Sequence, residues 1–118
     1  MTHDNWHNER FLEEKCSEVA NTARLIRDGK MNIVEGALRL SALRHDVSRK
    51  DFDDDFMLFV VIASETDHLP VGEVRKQYSP DALRKADREI EEVEKFYRVE
   101  VQAACEKLIA RFSNATTP

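Results

Sequence analysis

Three glycines and three prolines in 118 residues leave little turn chemistry. An all-β sandwich or barrel needs a turn about every 8–12 residues, so that class is excluded. Cysteine is equally scarce. Cys16 and Cys105 are too few and too far apart for a disulfide scaffold. Both fall in helical apolar patterns, where a thiol acts as a small, inert core residue. No apolar run approaches the roughly 20 residues that span a bilayer. The polar opening "MTHDNWHNER" lacks the apolar segment of a signal peptide, so the expected compartment is the cytoplasm. Basic residues are not in excess either. The formal net charge is -5, which disfavours nucleic acid as a partner. An acidic chain fits a basic partner instead. There is no G-x-S-x-G, no P-loop and no glycine-rich phosphate loop. The expectation is a protein that is not an enzyme, holds no cofactor or metal, and has no catalytic residue.

What is present is helical periodicity in a chain 42% hydrophobic and 35% charged. The length suits one domain, residues 1–118, with a polar start over about 1–5 and a frayed tail over about 113–118. Leu12, Cys16, Val19, Ala23 and Ile26 form one helical stripe between Trp6 and Arg27. Asp4 or Asn5 is placed to cap it, and Gly29 to stop it. Asn32 with Glu35 reads as a capping box for a second helix that fades near Val47. Gly36 lies inside that helix, where it permits close approach of another element. Ser48 or Asp51 is placed to cap a third helix, with Asp53, Asp54 and Asp55 loading its first turn. The run "FMLFVVIA" then reads as central and buried almost all round. Residues 66–78 read as a long connection, longer than the usual 4–6 or so. Ser79-Pro80-Asp81 starts a last helix of about 33 residues. Its apolar line runs through Leu83, Ala86, Ile90, Val93, Tyr97, Val101, Ala104, Leu108 and Phe112. The predicted fold is all-α, a small bundle of about four helices with a long C-terminal one, its first and last helices antiparallel.

Chemistry-bearing residues gather in "SETDHLPVG". Glu65, Asp67 and His68 could serve as metal ligands or as an acid–base pair. They lack the i,i+4 spacing of a helical histidine pair, and His3, His7 and His45 supply no such spacing either. A structural role has a mechanism: Asp67 or Thr66 bonding loop amides, His68 donating to a helix-end carbonyl. On that reading Asp67 braces the corner. The acids Asp51, Asp53, Asp54 and Asp55 lack the central glycine and terminal glutamate of a calcium loop, so they read as a solvated helix start.

The stretch "ASETDHLPVGEVRKQYSPDALRKADREIEEVE" resembles small uncharacterised bacterial proteins. They carry a Ser-Glu-Thr-Asp-His-Leu-Pro core, then a glycine, an arginine, an aromatic residue and a Ser-Pro helix start. The likeness covers about residues 31–112. Such small acidic proteins are similar to immunity proteins of contact-dependent growth inhibition and other polymorphic toxin systems. The resemblance implies a cytoplasmic binding protein that neutralises a toxin domain, a nuclease by preference, by covering its active or substrate-binding surface. The expected contacts are Asp67, His68, Glu73 and Arg75 in the connection and Asp53, Asp54 and Asp55 at the helix start. The free protein is expected to be a monomer. The alternatives are a metal-dependent or acid–base enzyme centred on Glu65, Asp67 and His68, and a structural or regulatory helical subunit.

Overall fold

The computed structural model describes residues 2–113, with side chains described from residue 8 onward. Four α-helices follow one another: α1 (Thr2–Arg27), α2 (Ile33–Val47), α3 (Asp54–Glu65) and α4 (Pro80–Ser113). A short 3-10 helix, Gly72–Gln77, lies between α3 and α4. No strand occurs among the described residues. No helix among them is long and apolar enough to cross a membrane. The frayed tail expected beyond residue 113 lies outside the described residues, as do the side chains of His3, Asp4, Asn5, Trp6 and His7. The backbone of α1 begins at Thr2, ahead of the expected caps Asp4 and Asn5.

The turns follow from a few residues. Gly29 takes φ +74°. Lys30 N–H then bonds the Leu25 carbonyl at 2.8 Å and Gly29 N–H that of Ile26 at 3.1 Å, a Schellman stop of α1. The Asn32 side chain accepts from Glu35 N–H at 2.8 Å and starts α2. Glu35 does not complete the reciprocal half of the box; its carboxylate takes Arg39 at 2.9 Å. The Ser79 hydroxyl accepts from Ala82 N–H at 3.1 Å and opens α4.

α1 and α4 run antiparallel. Arg27 reaches Glu106 at 3.2 Å, while Arg24, one turn earlier, reaches Ser113. Between them lie Cys16, Val19, Ala20, Ala23, Val101, Cys105, Leu108 and Phe112, all buried. α3 adds Phe56, Phe59 and Ile62, each 0% exposed. Burying side chains of that size stabilises the fold by about 1.5–3 kcal/mol each. α3 is not buried all round, because Val61 on its other side is 47% exposed. α2 crosses α1 closely at Gly36, where a Cβ would run into the side chain of Ile26. Glycine there costs about 1 kcal/mol of helix propensity against alanine and admits the close contact.

Both cysteines are free and buried. Burial pushes the Cys105 thiol up to about 12 and raises that of Cys16 as well. Cys16 feels the charge of Arg111, and Cys105 those of Glu106 and Arg27, so they sit in different layers of the α1–α4 contact.

The long axis of the molecule, 54 Å, is set by α4, whose 34 residues span about 51 Å. The first half of α1 also projects from the bundle: residues 8–14 are all exposed, Phe11 and Leu12 among them.

Candidate functional site

Both sequence clusters lie at α3, one at each end. At its N-terminus the cap is Asp53, not Ser48 or Asp51. Asp53 is 4% exposed. Its carboxylate accepts from Asp55 N–H at 3.1 Å and from the Ser48 hydroxyl at 2.7 Å. It also receives both arms of Arg111 at 2.9 Å. The Arg111 guanidinium holds the Asp53 carboxyl down at about 2, with the Ser48 and Asp55 bonds helping. Asp55 also takes Arg111 at 2.9 Å, and Arg111 stacks over the Phe112 ring at 4.6 Å. Ser48 and Asp53 therefore act together, the hydroxyl bonding the cap rather than being it. Of the three aspartates expected to face a partner, the structure turns Asp53 inward, half-buries Asp55 and leaves Asp54 exposed.

At the C-terminus of α3 the chain turns through "TDHLP". The brace is Thr66, which is 5% exposed. Its hydroxyl donates to the Ile62 carbonyl at 2.7 Å, and its own carbonyl accepts from Leu69 N–H at 3.0 Å. Leu69 is thereby pushed against Val34, Ala86 and Ile90, a small second core under the corner. Asp67, expected to bond loop amides, bonds none among the described residues. His68, expected to donate to a helix-end carbonyl, instead sets Nε2 2.8 Å from Glu89 on α4. The connection is not bare loop, since Gly72 at φ +70° turns the chain into the 3-10 helix. From it Arg75 grips Asp87 with both arms, at 2.9 and 3.1 Å. Asp87 and Glu89 lie on opposite flanks of the Ala86–Ile90 line, since consecutive residues turn by about 100°. The connection is therefore strapped to α4 on both sides. Glu65 accepts from the Tyr97 hydroxyl at 2.7 Å, and that bond raises the Tyr97 phenol.

Glu65, Asp67 and His68 do not converge. Each faces a different neighbour: Tyr97, a surface recess and Glu89. Among the described residues no three His, Cys, Asp or Glu side chains are grouped to hold a metal ion. Five exposed carboxylates, Glu65, Asp67, Glu73, Asp87 and Glu89, instead surround the corner, against Arg75 and Lys76. Four of them have a partner in the chain; Glu73 takes Lys76 at 2.8 Å. Asp67 has none among the described residues. It stands at a recess of about 90 Å³ lined by Val34, Leu38, Ala63, Thr66, Leu69 and Val71.

A family model matches residues 5–108, and its members are described as proteins of unknown function, DUF2489. The chain belongs to that family. The matched segment of DUF2489 takes in both ends of α3, the 3-10 helix and most of α4. No curated protein and no solved structure matches the chain. Sequence reasoning missed the recess itself, because Val34 and Leu38 come from α2. The apolar pair Val34–Leu38 at i,i+4 was visible; its meeting with Asp67 was not.

Proposed function

We propose that the protein is a cytoplasmic binding module that recognises a basic side chain of a protein partner at the Asp67 recess. The observation that carries this reading is a carboxylate, without a partner among the described residues, at a small apolar recess. Such a recess accepts the aliphatic stem of a lysine or arginine, and the carboxylate receives its charged head. The four surrounding carboxylates add a negative field that steers a basic surface toward it. The straps to α4 hold this face rigid, so little conformational entropy is lost on binding. Resemblance to immunity proteins supplies the partner class: a toxin domain, a nuclease by preference, whose phosphate-binding surface is basic. Covering that surface neutralises it.

The test uses the purified product of the gene directly upstream, titrated against wild type, Asp67→Asn and Leu38→Glu. Wild type binds, each variant weakens binding by about tenfold or more, and added salt weakens all three. Wild-type binding unaffected by both substitutions refutes the recess. No binding at all, with the upstream product's activity unchanged, refutes the toxin reading.

A further inference from the structure

Val99 is 82% exposed and Phe96 74% exposed, one turn apart on α4. They lie on the face opposite the buried line Ala86, Ile90, Val101 and Leu108. Glu92 and Ala103, both exposed, extend that face. Positions 92, 96, 99 and 103 are spaced four, three and four, the seam of a coiled coil. Nothing among the described residues covers it, because α1 and the corner strap the other sides of α4.

We propose that a second copy of this chain covers the seam, in an antiparallel two-fold dimer of α4 helices centred between Tyr97 and Arg98. A two-fold contact must be self-complementary, and this register is. Phe96 of each copy lies against Val99 of the other, and Glu92 against Ala103. Arg88 and Glu106 are about five whole turns apart and share one flank of the seam; Glu89 and Lys107, equally spaced, share the other. An antiparallel two-fold brings like flanks together, so Arg88 faces Glu106 and Glu89 faces Lys107. All four are exposed. Arg88 and Lys107 have no ion-pair partner within the chain among the described residues. Glu106 and Glu89 are shared with Arg27 and His68. The contact runs over about 27 Å of helix. One helix pair of that length falls short of a standard interface of about 1,600 Å², so the dimer is weak and concentration-dependent. It uses none of the residues that line the Asp67 recess and does not depend on that proposal.

Sedimentation equilibrium on the full chain, from about 1 µM to about 1 mM, reads the proposal directly. The weight-average mass should rise from one chain toward two. Phe96→Glu should stay monomeric and remain folded, because the ring is mostly exposed and lies against Tyr97 at the surface. Lys107→Glu and Glu89→Lys should each weaken dimerisation by about tenfold, and the double variant should recover it. A monomer at every concentration overturns the proposal. So does a dimer indifferent to Phe96→Glu, or a double variant no stronger than its singles, which would place the contact elsewhere.

Discussion

At the N-terminal end of α3 Asp53 is 4% exposed and holds Arg111 in a fork. At the other end, about 18 Å away along the helix, Asp67 is exposed and bonds nothing among the described residues. The two segments, "DFDDD" and "SETDH", look alike as sequence. The difference is what α4 brings to each. Near its end α4 brings Arg111 and Phe112, so an acid there is drawn in and becomes a staple between distant parts of the chain. Near its start it brings acids of its own, Asp87 and Glu89, so the corner supplies His68 and Arg75 and keeps its carboxylates outward. One end of α3 uses charge for stability, the other displays it.

The comparison can be broken most severely at the staple. Asp53→Ala removes the cap of α3 and leaves the half-buried Arg111 guanidinium with Asp55 alone, for a loss of about 2–3 kcal/mol in denaturant unfolding. Acid tests the same bond without mutation. The folded Asp53 carboxyl lies at about 2 against an ordinary 3.8. Its contribution is complete above the unfolded value and is lost as pH falls from about 4 toward 2, about 2 kcal/mol in all. Asp53→Asn should flatten that part of the stability–pH curve.

Smaller effects sharpen the other end. Thr66→Val keeps the shape and removes the bond to the Ile62 carbonyl, costing about 1 kcal/mol by thermal melt. His68→Ala loses only an exposed pair with Glu89 and should change stability by less than about 0.5 kcal/mol.

The fold was largely legible because its signals are local. The Asn32 and Ser79-Pro80 starts, the Gly29 stop and the three-and-four spacing along α4 each declare themselves within a few residues. The Asp53 cap was blurred because Ser48, Asp51 and Asp53 are all competent caps; the choice falls to Arg111, 58 residues away. The same limit misassigned the corner. Asp67 and Thr66 are both able to bond a turn, and burial selects Thr66. The 3-10 helix was hidden because its strap, the Asp87 that holds Arg75, belongs to another element. Phe96 and Val99 went unremarked because the apolar line of α4 was traced along its dominant face only.

The contrast between the two ends comes down to one substitution made twice. Urea unfolding of Asp53→Asn and Asp67→Asn, side by side at pH 7, removes one charge from each end of α3 at nearly constant side-chain shape. Asp53→Asn should lose about 2 kcal/mol with an unchanged m-value, and Asp67→Asn should stay within about 0.5 kcal/mol of wild type. Equal losses at both ends would contradict the account, because Asp67 would then be a structural residue and the corner a second staple.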